Sequence, residues 1–165
     1  MRSNNTRKIA LGGMLAAVAV VIMCLGGFIP VATYVCPILC CMTQFIVLRF
    51  CGKRLAWIWF AVVSVLALLL SPDKEAALVF LAIGYYPLIK PCFERVKPCF
   101  LLKFLFFNSS VFAVYGVMIY VMGMREIVAE NMEFGMFGLG VILVLGNITF
   151  ALLDKLLAIM AGKLR

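Results

Sequence analysis

The feature that most constrains this chain is a series of long apolar runs separated by short polar segments. The first run extends from Ile9 to Ile29 without a charged side chain. At a rise of 1.5 Å per residue it is about 31 Å long, enough to cross the hydrocarbon core of a bilayer. Apolar residues make up 66% of the chain and charged residues 13%, whereas soluble domains carry about a quarter charged residues. We therefore predict an integral membrane protein.

The spacing of the runs predicts an all-α fold in which residues 1–165 form one transmembrane domain of six helices. The expected spans are 9–29, 31–48, 55–70, 76–89, 101–124 and 136–160. The fourth is short, about 21 Å, so we expect its flanks to snorkel or its neighbours to shelter it. The basic N-terminus followed by an apolar run resembles a signal peptide. Because no small-residue cleavage site follows the run, we expect it to be retained as the first span.

The distribution of lysine and arginine predicts the orientation, because cytoplasmic loops carry an excess of both. With the N-terminus inside, the outer segments hold only Lys74 and Arg125, together with five of the seven acids. The other thirteen cations fall inside: Arg2, Arg7, Lys8, Arg49, Lys53, Arg54, Lys90, Arg95, Lys97, Lys103, Lys155, Lys163 and Arg165. We therefore predict that both termini face the cytoplasm. The net charge of +8 arises from these loop clusters and not from a polar face with exposed aromatics, which argues against nucleic-acid binding.

Groups that carry out catalysis are scarce in this sequence. The chain has no histidine, which removes the commonest general base and metal ligand, and it shows no nucleophile elbow or phosphate-binding glycine loop. We expect neither enzymatic activity nor a cofactor. Cys36 and Cys40 share a helix face, which suits a soft ion such as Cu(I). We favour the alternative that these two and Cys41 are small packing residues, since no third ligand of the usual kind is in view.

Uncharged polar side chains inside the spans are candidates for ligand binding. Tyr115 lies near the middle of the fifth span and Asn147 roughly 16 Å into the sixth. Amides and phenols orient a small ligand without a buried charge, although they also form interhelical hydrogen bonds that only hold a bundle together. Asp73, Lys74 and Glu75 add two acids and a base above the short fourth span. With Tyr115 and Asn147 as a polar floor, they predict a site for a small polar or cationic organic ligand.

Small residues in the first span predict a close helix contact. Gly12 with Ala16 and Gly13 with Ala17 are small-xxx-small pairs, which let another helix backbone approach. The partner is either a helix of the same bundle or a different protein. Farther along the chain, Lys90 and Glu94 are placed to form an i,i+4 ion pair if their segment is helical.

The opening residues 7–17, Arg-Lys-Ile-Ala-Leu-Gly-Gly-Met-Leu-Ala-Ala, resemble the substrate-binding S components of energy-coupling factor transporters. The resemblance covers nearly the whole chain and rests also on size, six-span topology and the absence of a soluble domain. Residues 71–75 and 84–87 are similar to a subgroup of bacterial membrane proteins of unassigned substrate that are akin to these components.

The resemblance implies a membrane subunit that captures a vitamin-like micronutrient from outside the cytoplasmic (inner) membrane of a bacterium. It implies no ATPase activity of its own, and as partners a transmembrane coupling protein and two cytoplasmic ATPases. In the family, an Ala-x-x-x-Ala pattern on the first helix meets the coupling protein. This chain has small residues at the same spacing, Gly12 with Ala16 and Gly13 with Ala17, but glycine replaces the first alanine of each pair. The His-containing N-terminal metal site of the nickel and cobalt members is missing, which argues against those ions.

A competing interpretation is a non-transport membrane scaffold, such as a six-helix partner of the cell-wall elongation machinery. It requires the same topology and small-residue contacts but no ligand pocket. A membrane enzyme is a third interpretation, and the missing catalytic groups argue against it.

Overall fold

The computed structural model describes residues 2–26, 32–94, 99–120 and 135–163, and every regular element in these ranges is an α-helix. The helices are α1 (Arg2–Gly26), α2 (Ala32–Cys51), α3 (Lys53–Leu70), α4 (Lys74–Ile83), α5 (Tyr86–Phe93), α6 (Cys99–Tyr120) and α7 (Gly135–Lys163). The predicted all-α fold is thus confirmed for the described residues. The chain divides into two compact units, Met1–Arg95 and Val96–Arg165, each considered by itself below.

Several of the helices are long and apolar enough to cross a membrane. Within the described residues, five segments meet this description: Asn5–Gly26, Thr33–Cys51, Lys53–Leu70, Lys74–Phe93 and Leu143–Gly162. The predicted fifth span corresponds to a shorter apolar stretch, Leu101–Val117. Large apolar side chains lie on the outside, with Leu69 72% exposed and Phe112 68% exposed. Lipid accepts such a surface directly, so the structure indicates a multi-pass membrane protein.

The predicted fourth span is longer than expected and is not one straight helix. In place of 76–89, helical residues extend from Lys74 to Phe93, with α4 and α5 meeting at a turn over Gly84 and Tyr85. Pro87 lies in the first turn of α5 without costing a hydrogen bond, because the first N–H groups of a helix have no partner inside it. A Cβ atom at Gly84 would lie 2.9 Å from the Phe60 ring, so only glycine permits this contact. The predicted shortness was therefore wrong.

In the first unit, α1 packs against both α2 and α3. Two thiols of α2 set the antiparallel register with α1: Cys51 Sγ donates to the Lys8 carbonyl at 3.3 Å, and Cys40 Sγ donates to the Ala19 carbonyl at 3.4 Å. Gly52 alone connects α2 to α3 with a φ of 93°, a backbone conformation that favours glycine. The turn therefore reverses the chain in a single residue.

The parallel alignment of α1 and α3 is fixed at both ends. Near one end, Trp59 Nε1 donates to the Gly12 carbonyl at 3.1 Å. Near the other, Ser71 Oγ donates to the Met23 carbonyl at 3.1 Å. The core between them contains fully buried small and medium side chains, which lets the backbones lie close together.

The second unit contains the antiparallel pair α6 and α7. The Phe107 and Phe150 rings stack with centroids 4.9 Å apart. A Cβ atom at Gly146 would lie 3.1 Å from the Phe107 ring, so this glycine lets the ring approach the α7 backbone. Lys103 Nζ lies 2.8 Å from Asp154 Oδ2 and ties the two helices together farther along.

Candidate functional site

The segment that leads from α3 into α4 holds three of the five predicted ligand-binding residues, Asp73, Lys74 and Glu75. All three side chains are half-buried. Asp73 is the N-cap of α4, and its Oδ1 accepts from the Ala76 backbone N–H at 3.1 Å. A carboxylate at this position satisfies one of the unpaired N–H groups of the first turn and stabilises a helix by about 1 kcal/mol. Asp73 therefore has a structural role that leaves its second oxygen for other contacts.

Lys74 is directed at the end of the preceding helix. Its Nζ donates to the Leu68 carbonyl at 2.8 Å, one of the last carbonyls of α3, which have no acceptor role inside the helix. Ser71 reinforces the same corner, because its Oγ lies 3.0 Å from the Asp73 carbonyl and 3.1 Å from the Met23 carbonyl of α1, and the two carbonyls share its single hydrogen. The single cation of the segment is thus bonded to backbone and not to either neighbouring carboxylate.

Glu75 has a partner that the sequence analysis did not identify. Its Oε1 accepts a hydrogen bond from Tyr34 Oη at 3.1 Å, which joins the start of α2 to the start of α4. Tyr34 is 47% exposed, so the ring also presents an open surface. The available sequence signal was the position of Tyr34 just after the Pro30 break, which places it at the same end of its span as Glu75.

The charge balance of this corner is negative. Asp73 and Glu75 contribute two carboxylates and Lys74 one ammonium, and neither carboxylate forms an ion pair within the described part of the chain. We call Tyr34, Asp73 and Glu75 the acidic mouth. In general, half-buried carboxylates can accept hydrogen bonds from a cationic group, and a neighbouring aromatic ring can add a cation–π contact.

The other two predicted ligand-binding residues, Tyr115 and Asn147, belong to the second unit. Tyr115 is half-buried on α6. Asn147 and Asn108 form a reciprocal pair in which each Nδ2 donates to the other Oδ1 at 3.3 Å. Each Nδ2 also donates to a carbonyl of its own helix, Leu143 for Asn147 and Phe104 for Asn108. The structure thus gives Asn147 the interhelical role that was the alternative to ligand binding, and the complete five-residue site stays a prediction.

The ion pair of Lys103 and Asp154 is a second feature that the sequence analysis missed. Both side chains are partly buried, 15% and 23% exposed. Lys103 was counted only as an inner-loop cation, and Asp154 was not assigned a role. Their separation of 51 positions in the sequence left no local spacing signal, in contrast to Lys90 and Glu94, whose predicted i,i+4 pair forms at 3.9 Å.

The small residues of α1 separate into two faces. Gly12 and Ala16 are half-buried, and the Gly12 carbonyl accepts from Trp59 of α3. Gly13 and Ala17 are exposed, and a Cβ atom at either Gly12 or Gly13 would meet nothing within 4 Å. One pair thus faces its own bundle, and the Gly13–Ala17 face is open.

The thiols of α2 behave as packing residues within the described structure. Cys36, Cys40 and Cys41 are all buried, and Cys40 donates to the Ala19 carbonyl. No group of three metal-binding side chains occurs among the described residues. The burial of the three thiols and the hydrogen bond of Cys40 favour the interpretation of these cysteines as small packing residues.

A further buried polar side chain in the first unit is Gln44. It is 0% exposed, and its Oε1 and Nε2 have no hydrogen-bond partner within the described residues, like Ser64 Oγ on α3. Unsatisfied amides of this kind are unfavourable by about 1–3 kcal/mol.

No family model, curated protein or solved structure matches this chain. The functional interpretation therefore rests on the site itself.

Proposed function

We propose that this chain is the substrate-capturing S component of an energy-coupling factor importer for a vitamin-like micronutrient, without ATPase activity of its own. The observation that carries the proposal is the acidic mouth, where two half-buried carboxylates lie beside a partly exposed aromatic ring. Each of its two carboxylates accepts one hydrogen bond from the chain, and neither forms an ion pair in the described structure. Both carboxylates therefore retain the capacity to bind a positively charged substrate.

The proposed topology has six spans with both termini in the cytoplasm of a bacterial cell, and the cytoplasmic (inner) membrane as its location. This arrangement places the acidic mouth outside, where a nutrient arrives, and the basic turn at Lys53 inside. Cysteine labelling tests it: Pro72→Cys should react with an impermeant reagent on intact cells, and Lys53→Cys should be protected. Labelling of Lys53→Cys from outside would contradict the orientation. Segments 125–133 and 90–98 are expected outside and inside, respectively.

The proposed ligand is small, organic and cationic. Glu75 and Asp73 would pair with its positive charge, and the exposed Tyr34 ring would cover an ammonium or heteroaromatic cation. Lys74 stabilises the same segment through the hydrogen bond from its Nζ to the Leu68 carbonyl of α3. The part that Tyr115 and Asn147 of the second unit were expected to play in ligand binding stays a prediction. The fourth helical segment is not short, so its length gives no support to a ligand site above it.

The proposed partners are one transmembrane coupling protein and two cytoplasmic ATPases. The exposed Gly13–Ala17 face of α1 is the proposed contact with the coupling protein, because it allows a helix of another protein to approach. Gly12 and Ala16 are proposed to support this contact from the side that faces α3.

Copurification from the native host tests the proposal. The tagged chain should retain the coupling protein and both ATPases, and Gly13→Leu should lose them. The variant should stay folded, because the added side chain starts in open space. Ala61→Leu, which places a leucine at an exposed position of α3, is the control and should retain the complex. Equal recovery from Gly13→Leu and the parent would place the contact elsewhere.

The second candidate function is a non-transport membrane scaffold. The specific observation in its favour is the reciprocal Asn108–Asn147 pair, which uses a predicted ligand-binding amide to join two helices. Under this interpretation the same copurification should recover cell-wall elongation proteins and no ATPases. The two functions thus predict different partners in one experiment.

A further inference from the structure

The end of the first unit opposite the acidic mouth carries five exposed cations: Arg7, Lys8, Arg49, Lys53 and Arg54. We call these five residues the basic end. They come from three helices, the start of α1, the end of α2 and the start of α3. The packing of three helices therefore gives a denser positive surface than the two pairs adjacent in sequence, Arg7–Lys8 and Lys53–Arg54, would give separately.

Two contacts bring these cations to the same end of the unit. Gly52 reverses the chain in one residue, so Arg49 and Lys53 lie on either side of a single tight turn. Cys51 Sγ donates to the Lys8 carbonyl at 3.3 Å, which holds the first part of α1 against that turn. The basic end is therefore a property of the packed bundle as well as of the sequence.

Within the first unit, acidic residues are too few to offset the five cations of the basic end. The first unit has three acidic residues, Asp73, Glu75 and Glu94. The first two lie beyond the far end of α3, about 27 Å away for an 18-residue helix, and Glu94 lies 3.9 Å from Lys90. The first turns of α1 and α3 contain no acidic residue. Like charges gathered in this way repel one another unless an anion lies between them.

The basic end borders an exposed apolar surface, and this position indicates which kind of anion it would bind. Ile9 follows Lys8 directly and is 62% exposed, and Ile58, one turn into α3 from Arg54, is 56% exposed. The cations therefore lie at the level where a lipid-facing surface begins, which is the level of the phosphate groups of a bilayer. We propose that the basic end binds the headgroups of anionic phospholipids. This inference does not depend on the transport function.

Native mass spectrometry of the full chain in detergent tests this proposal. With phosphatidylglycerol or phosphatidylcholine added at equal concentration, the parent should retain phosphatidylglycerol preferentially, and added salt should weaken the retention. The double variant Lys53→Gln/Arg54→Gln should bind phosphatidylglycerol about 25-fold more weakly, at about fivefold per cation. Lys53→Arg/Arg54→Lys keeps both charges and is the matched control, expected to bind as the parent does.

The outcomes separate the lipid from other anions. Inorganic phosphate at matched ionic strength should not displace the lipid, because it lacks the acyl chains that lie against the apolar helices. Equal retention of the two lipids by the parent would overturn the proposal in favour of an acidic protein partner. Unchanged phosphatidylglycerol binding by the double glutamine variant would also overturn it. The comparison of phosphatidylglycerol with phosphatidylcholine on the parent chain, together with its salt dependence, tests the proposal even if the double glutamine variant does not fold.

Discussion

The reciprocal amide pair of the second unit leads to a quantitative prediction about what Asn147 does. Each amide donates to the other at 3.3 Å across the α6–α7 interface. Replacement of either residue by alanine removes both interhelical bonds. The amide that is left keeps the bond to a carbonyl of its own helix, Phe104 for Asn108 or Leu143 for Asn147. The free-energy penalty for leaving one amide without its interhelical partner should therefore be small. A double-mutant cycle of Asn108→Ala and Asn147→Ala should then report mainly the interhelical bonds.

The expected coupling follows from the number and length of these bonds. Interhelical hydrogen bonds in membrane proteins contribute about 0.6 kcal/mol each on average. Two of them predict a coupling of about 1.2 kcal/mol between Asn108→Ala and Asn147→Ala. The separation of 3.3 Å is longer than the usual 2.9–3.0 Å of an N–H···O bond, which argues against a larger value.

The assay is reversible unfolding of the purified chain in mixed micelles, with Ser109→Ala as the control. Ser109 is exposed and adjacent to Asn108, so its replacement should change the free energy of unfolding by less than about 0.5 kcal/mol. A coupling close to zero would refute the structural role of the pair. It would return Asn147 to the ligand-binding role that the sequence predicted.

Two further stability predictions concern buried positions. Gln44→Met should raise the free energy of unfolding by about 1–2 kcal/mol, because it removes two unsatisfied polar atoms at similar volume; a lower thermal midpoint would show that the amide has a partner. Gly146→Leu should lower the free energy of unfolding by about 1–3 kcal/mol, because its side chain would start 3.1 Å from the Phe107 ring. Gly162→Leu, where nothing lies within 4 Å, is its control and should change the thermal midpoint little.

The sequence predicted the helical membrane character well, because apolar run length depends on local composition alone. The described helices lie close to the predicted spans, among them Lys53–Leu70 for 55–70, and the number of membrane crossings stays a prediction. The predicted end of the fifth span, residues 121–124, and the polar segment 125–133 lie outside the described residues. The fourth was misjudged because Lys90 and Pro91 were interpreted as the end of the helix. In the structure Lys90 is buried and helical.

The site was less predictable because its geometry depends on which helices become neighbours. Asp73 and Glu75 were identified from local charge, but the Tyr34 contact joins positions 41 residues apart. The Asn108–Asn147 and Lys103–Asp154 contacts likewise depend on the α6–α7 register. Sequence spacing predicted the Lys90–Glu94 pair because both residues lie on one helix face. Contacts within an element were thus accessible from the sequence, and contacts between elements were not.

The central claim is that the acidic mouth captures a cationic nutrient, and native mass spectrometry of the chain purified from its host tests it most directly. Asp73→Asn keeps an N-cap acceptor and Glu75→Gln keeps an acceptor for Tyr34, so both variants remove charge while preserving the local structure. The account predicts a small cationic molecule bound to the parent and to Tyr34→Phe, and its loss from the Asp73→Asn/Glu75→Gln double variant. A parent chain without any bound small molecule, or equal occupancy in the double variant, would contradict the account.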